Sequence, residues 1–147
     1  MASLPDLLAR QASETPSALA LKGPTESWTY AGLLQAVAAM AEQIRRRGIR
    51  RLGLCGDNSV AWVMADLACL MAGVVCVPMP IFFSEEQKAH LVSQAGLEGL
   101  LHAEEGQGRD HLGHGVWLAQ LPFAAGGMPI PQATAKITFT SGSTGTP

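Results

Sequence analysis

The segment from Arg51 to Pro78 constrains the fold more than any other part of the chain. Arg51-Leu52-Gly53-Leu54-Cys55-Gly56 reads as a strand, and Asp57-Asn58-Ser59 as the cap of a helix from about Val60 to Met71. Val60, Val63, Met64, Leu67 and Met71 are expected to form the apolar face of that helix, and Ala72-Gly73 to end it. Val74-Val75-Cys76-Val77-Pro78 is then an unbroken apolar strand, the pattern of a strand covered on both faces. Two strands separated by a helix in so short a span pair as parallel neighbours through a right-handed crossover.

The alternation continues. Ser84-Glu85-Glu86-Gln87 is a capping box that opens a further helix, closed at Gly96, and Leu97 to Leu101 forms the next strand. Upstream, Ser3 caps a short helix with Leu4, Leu7 and Leu8 on one face and Pro5 in its first turn. Ala18–Lys22 and Ser27–Thr29 read as two strands around Gly23-Pro24-Thr25-Glu26. A long helix from about Tyr30 to Arg47 carries Leu33, Val37, Met40 and Ile44 as one stripe, widened by Leu34 and Ala41, and Gly48 stops it. The fold class is therefore α/β, a mainly parallel sheet with flanking helices.

Composition narrows the partners. The 147 residues carry a formal net charge of -2, which gives no general attraction to nucleic acid or to an anionic membrane surface. Arg45, Arg46, Arg47, Arg50 and Arg51 make up half of the 10 lysines and arginines. The first three fall on a last helical turn, where the helix dipole favours positive charge, so a solvated face is the expectation. Ala61 to Phe83 is long enough to span a bilayer, but it contains Asp66, which would cost about 2.5–3.5 kcal/mol there, and Gly73, Pro78 and Pro80 interrupt any helix. No membrane span is expected. Cys55, Cys69 and Cys76 lie in apolar stretches, are odd in number and have no zinc-ligand spacing; with a start at Met1 that has no cationic run and no apolar secretion segment, they point to a reducing, cytoplasmic setting. Glu104 to Gly115 reads as an exposed loop; Asp110, His111 and His114 within it could in principle bind a metal, but a two-residue gap between histidines in such a loop is weak evidence for a site.

The most specific chemistry lies at the end of the chain. Lys136-Ile137-Thr138-Phe139-Thr140 alternates strictly, with Ile137 and Phe139 on one face, and runs directly into Ser141-Gly142-Ser143-Thr144-Gly145. Two glycines let backbone amides turn into a concavity, and the hydroxyls of Thr140, Ser141, Ser143 and Thr144 add short neutral donors. A polyphosphate oxygen requires such a surface. The spacing is neither that of a Walker A loop nor that of a dinucleotide fingerprint. On the residues alone, a flexible serine-glycine linker is the competing reading.

The segment Ile137-Thr138-Phe139-Thr140-Ser141-Gly142-Ser143-Thr144-Gly145-Thr146-Pro147 resembles the phosphate-loop signature of the adenylate-forming superfamily, which includes acyl-CoA synthetases, nonribosomal peptide adenylation domains and luciferases. Three upstream stretches are similar to family elements in the same order: Trp28-Thr29-Tyr30-Ala31-Gly32-Leu33, Gly56-Asp57-Asn58-Ser59, and Leu70 to Pro78. The resemblance implies that residues 1–147 are the N-terminal segment of the AMP-binding domain, cut within the phosphate loop. It implies a ligase that activates a carboxylic acid with ATP as acyl-AMP and passes the acyl group to a thiol. Thr140, Ser141, Gly142, Ser143, Thr144 and Gly145 would hold the β- and γ-phosphates with Mg2+ nearby. The acceptor is coenzyme A or a carrier-protein pantetheine, so a carrier protein is a possible partner. No catalytic residue or metal ligand is assigned within the segment, which alone is expected to be inactive.

Two departures from the family pattern stand out. Gly32 occupies a position where a glutamate often completes a capping box with the threonine, a loss of a few tenths to about 1 kcal/mol for the helix start. After Pro78 the chain reads Met79-Pro80-Ile81-Phe82-Phe83, without the Asp-Pro and Tyr-Pro pattern typical of peptide-synthetase adenylation domains. That points toward an acyl-CoA synthetase acting on a fatty or other apolar acid.

Overall fold

A computed structural model of the chain describes residues 3–104, 110–122 and 134–138. The order of elements is α1 (Leu4–Glu14), β1 (Leu19–Lys22), β2 (Ser27–Thr29), α2 (Tyr30–Arg46), β3 (Arg51–Cys55), α3 (Val60–Ala72), β4 (Val75–Pro78), α4 (Glu85–Ala95), β5 (Gly99–His102), β6 (Asp110–Gly113) and β7 (Val116–Gln120). Strands β1 and β2 form a separate antiparallel hairpin, and the remaining five form a sheet in the order β4-β3-β5-β7-β6. Both neighbours of β3 are parallel to it, whereas β7 runs antiparallel to β5 and to β6. The sheet is thus mixed, with a parallel half built from the predicted crossover units.

Local chemistry sets the element ends. Ser3 caps α1 in a reciprocal box with Asp6, and Ser84 caps α4 in the same way with Gln87. Gly73 and Gly96 end α3 and α4 in the left-handed conformation, at φ 72° and 63°, which costs a glycine nothing. The arginines near residue 47 act on the other helix ends. The Arg45 guanidinium donates to the carbonyl of Met71, Arg47 to that of Gln43 at 2.8 Å and Arg51 to that of Ala95 at 3.0 Å. These positive groups meet the negative ends of α3, α2 and α4, so they are more firmly engaged than a merely solvated face.

The sheet is covered on both sides. Leu52, Leu54, Cys76, Leu101, Val116 and Leu118 face one core with α1, α2 and α3, while Val77, Met79, Leu91, Ala95 and Leu97 form a second core under α4. Right-handed crossovers account for this: β3 to β4 steps one way along the sheet and β4 to β5 steps back across β3, so the two helices land on opposite faces.

Two expectations are corrected. The fully buried residues of α3 are Val60, Met64, Ala65, Ala68 and Cys69, whereas Val63, Leu67 and Met71 are only half-buried. The helix is apolar on most of its circumference, and its small residues turn inward because they allow close approach to the sheet and α2, which a stripe of large side chains does not reveal. The stretch read as a loop contains β6, which turns through His114 and Gly115 at φ 53° and 79° into β7. Only Leu112 of β6 is buried, so its alternation is too short to register in a polar sequence. His111 stacks on Trp117 at 4.2 Å and His114 lies edge-on to Trp28 at 4.8 Å, so both histidines serve packing. Among the described residues, no helix is long and apolar enough to cross a membrane, and Cys55, Cys69 and Cys76 are free thiols.

Candidate functional site

In an open α/β sheet, two adjacent parallel strands whose onward connections leave to opposite faces create a crevice at their carboxyl ends. β3 and β4 are such a pair: the first leads into α3 on one face, the second into α4 on the other. The chain leaving β3 turns at Gly56, φ 119°, into Asp57-Asn58-Ser59. Ser59 Oγ accepts from the Trp62 amide at 3.1 Å and Asp57 Oδ1 from the Asn58 amide at 2.8 Å, which fixes this turn at the lip of the crevice. The chain leaving β4 passes through Met79, Pro80, Ile81 and Phe82, of which Ile81 and Phe82 are 62% and 73% exposed.

Two cavities flank the turn after Gly56. One, of about 310 Å³, lies toward α3 between Asp57, Asn58, Trp62, Pro78, Phe82 and Thr138. The other, of about 530 Å³, lies toward α4 between Cys55, Met79, Lys88, Leu100, His102 and Glu104. Its floor is apolar, and burial there acts on the titratable groups. It pushes the Cys55 thiol up to about 11 and lowers the His102 imidazole, with the Glu104 charge opposing that shift and Lys88 adding to it. Cys55 Sγ also lies 3.4 Å from Met79 Sδ. A thiol so held stays protonated at neutral pH and is a packing group rather than a nucleophile. The deeper Cys69 thiol, hydrogen-bonded to Cys76 and buried, is raised well above the usual range.

Residues 134–138 add a further parallel segment beside β4. The Cys76 amide donates to the Ala135 carbonyl at 2.8 Å, and the Ile137 amide to the Cys76 carbonyl at 3.0 Å. Ile137 packs on the α4 side, as strict alternation from Lys136 predicts, and Lys136 turns to the α3 side. Lys136 Nζ donates to Asp66 Oδ2 at 2.9 Å, stands 2.8 Å from Oδ1 and lies 5.8 Å from the centre of the Trp62 ring. This segment brings Thr138 to the smaller cavity. The predicted loop, Thr140, Ser141, Gly142, Ser143, Thr144 and Gly145, lies outside the described residues, as does Phe139.

The two lysines near this edge are both engaged by carboxylates, Lys88 with Glu85 at 3.2 Å and Lys136 with Asp66. Among the described residues, no group of three or more His, Cys, Asp or Glu side chains is gathered to hold a metal. The edge therefore offers shape, a turn and neutral donors more than a concentrated positive field.

Comparison with known proteins agrees with this architecture. A family model described as AMP-binding enzyme matches residues 8–147. A linear gramicidin synthase subunit of Brevibacillus parabrevis is 29% identical over 154 residues, 96% of this chain and 2% of its own length. Feruloyl-CoA synthase of an Amycolatopsis species is 31% identical over 99 residues, 65% of this chain and 20% of its own length. The o-succinylbenzoate coenzyme A synthetase of Bacillus subtilis, solved in complex with AMP, superposes with a TM-score of 0.72 at 26% identity, over 94% of this chain and 39% of that one. The N-terminal subdomain of NpsA from Klebsiella oxytoca, at 22% identity and a TM-score of 0.75, shares the fold over 100% of this chain and 40% of its own. The chain thus spans well under half the length of each of these relatives.

Proposed function

Because the chain belongs to the AMP-binding enzyme family, we propose that it is the N-terminal part of an ATP-dependent acid–thiol ligase and supplies its pyrophosphate cradle. The observation that carries this reading is the parallel segment at 134–138, which brings Thr138 to the switch-point crevice two residues before Thr140. Ligands of open α/β sheets bind at such an edge.

In the proposed reaction a carboxylate oxygen attacks the α-phosphorus of ATP. The bond to the bridging oxygen breaks, and pyrophosphate leaves with the electron pair. A thiol then attacks the acyl carbon and AMP departs. Backbone amides and hydroxyls from Thr140, Ser141, Gly142, Ser143, Thr144 and Gly145 would hold the β- and γ-phosphates, stabilising charge on the leaving group without having to reorganise. Holding the phosphate chain also aligns the α-phosphorus for in-line attack. Mg2+, when bound, would neutralise phosphate charge, and the phosphates themselves would be among its ligands; among the described residues no group of three or more His, Cys, Asp or Glu is gathered for it. Without the remaining machinery the segment alone would not turn over.

The stretch Met79-Pro80-Ile81-Phe82-Phe83 supports an acyl-CoA synthetase type acting on a fatty or other apolar acid, in the cytoplasm where ATP and coenzyme A meet. A second reading, a peptide-synthetase adenylation domain loading carrier-protein pantetheine, is supported by the likeness to the gramicidin synthase along 96% of the chain. ATP–pyrophosphate exchange by the enzyme that carries this segment, with fatty, aromatic and amino acids in parallel, separates them. Exchange with apolar acids supports the first and exchange confined to amino acids the second. No exchange with any acid would overturn both.

A further inference from the structure

We propose that Asp66 and Lys136 form a positioning latch for the phosphate loop, holding the strand that leads into it against α3. The proposal rests on the functional reading above and extends it to two residues outside the proposed set of phosphate donors.

Asp66 stands out first in the sequence, as the lone charged residue between Ala61 and Phe83. A lone carboxylate on a helix packed into an apolar core needs a partner to remain there. Its side chain is 18% exposed, and Lys136 Nζ lies within 2.9 Å of both its oxygens. The two residues are 70 positions apart, so the pair joins elements that local structure does not connect. Trp62, one turn earlier on α3, adds its ring face to the lysine from 5.8 Å.

Two hydrogen bonds to Cys76 tie residues 135–137 to β4. Ile137 anchors the α4 face of the segment, and Lys136 anchors the α3 face through the ion pair. Strand residues on opposite faces, each fixed by its own helix, leave the segment little freedom to twist or slide in register. Four residues beyond Lys136 stands Thr140, the first proposed phosphate donor. Donors preorganised for a developing charge lose much of their effect when displaced by about 1 Å, so an anchor at this position acts on catalysis through the backbone.

The test uses the full enzyme and the variants Asp66→Asn, Lys136→Met, Lys136→Arg and the charge exchange D66K/K136D, each checked by thermal melting. In Asp66→Asn and Lys136→Met, kcat/KM for ATP should fall on the order of tenfold while KM for the acid is unchanged. Lys136→Arg and the exchanged pair should recover most of the loss, and amide hydrogen exchange in the 134–138 peptide should rise in the two deleterious variants. A parent enzyme that is active, with ATP kinetics indifferent to Asp66→Asn and Lys136→Met, would overturn the latch alone. So would a KM for the acid that rises as far as kcat/KM for ATP falls, or an Arg variant no better than Met. If a variant fails to fold, the comparison of Lys136→Arg with Lys136→Met decides. A parent enzyme without exchange activity toward any acid would instead overturn the functional reading on which the latch rests.

Discussion

Leu100 on β5 fills the space that a side chain on Gly53 of β3 would need: the two residues are paired across the parallel ladder, and a Cβ on Gly53 would stand 2.7 Å from Leu100 Cδ2. The same atom would lie 2.9 Å from Leu97 Cδ1 and 3.2 Å from Met79 Sδ. Gly53 thus lets residues of β5, of the α4–β5 turn and of the crevice meet over the middle of the parallel sheet.

Gly53→Ala should accordingly destabilise the fold by about 1–3 kcal/mol, the usual range for overpacking a closed core. Leu97 is fully buried, so its branch cannot swing into solvent. Met79 is the most adaptable of the three neighbours, which places the expected cost within that range rather than beyond it. Urea denaturation of the wild type and the variant measures this; a difference under about 0.5 kcal/mol would show that the α4 core yields more easily than its packing implies.

The alternation of β3, α3, β4, α4 and β5 was legible because each element announces itself within a few residues, through caps at Ser59 and Ser84, stops at Gly73 and Gly96, and apolar runs between them. The inward face of α3 was legible only at Val60 and Met64. Ala65, Ala68 and Cys69 face the core because small residues allow close packing, and periodicity weighted by size favours Leu67 and Met71. The β6–β7 hairpin was not legible: its outer strand has a single buried residue, its His111 packs on Trp117 across the hairpin, and its His114 packs on the distant Trp28. For the site, the proposed phosphate loop was the strongest sequence signal, and it lies outside the described residues. The crevice at the carboxyl ends of β3 and β4 is built from Gly56, Pro78 and Thr138, which meet only once the strands are in register. The partnership of Asp66 with Lys136 was invisible in one dimension, although the isolation of Asp66 in an apolar stretch was itself the clue.

His102 makes stability depend on mild acid. Burial, its largest influence, lowers its pKa from 6.5, so the unfolded chain takes up a proton at a pH where the folded chain does not. Its contribution is therefore present above about pH 6.5 and is lost as pH falls through the lower folded value. In His102→Gln the decline in unfolding free energy between about pH 7 and 5 should be shallower than in the wild type. Parallel denaturation curves across that range check this, and identical slopes would contradict it.

Cys55 acts at the opposite end of the scale and with the opposite shift. Its thiol rises from 9.0 to about 11, chiefly through burial, so between those values the folded chain keeps a proton that the unfolded chain gives up. The contribution of Cys55 is thus full below about pH 9 and disappears as pH rises toward 11. Alkylation resolved by residue in a mass spectrometer should find Cys55 slow at neutral pH and accelerating only well above the range of an exposed thiol. Rapid modification at pH 7 in the folded protein would mean that the cavity beside His102 is more open than its lining implies.

Gly32 offers a gain in stability at the start of α2. Thr29 Oγ1 already accepts from the Gly32 amide at 3.1 Å, so half of a capping box is in place, and glycine supplies no side chain to return a bond to the Thr29 amide. A Cβ at this position would meet Thr29 Oγ1 at 3.2 Å and Trp28 Cε3 at 3.6 Å, a tight approach to an exposed hydroxyl rather than to a buried wall. Gly32→Ala should stabilise the protein by about 0.5–1 kcal/mol through helix propensity and the loss of chain entropy in the unfolded state. Gly32→Glu should exceed it, because a carboxylate in the first turn can close the box and also meets the positive end of the helix. The ordering Glu above Ala above Gly in unfolding free energy is the diagnostic result. If Ala and Glu were equal, propensity alone would be at work; if both fell below glycine, crowding against the Thr29 hydroxyl would outweigh both gains.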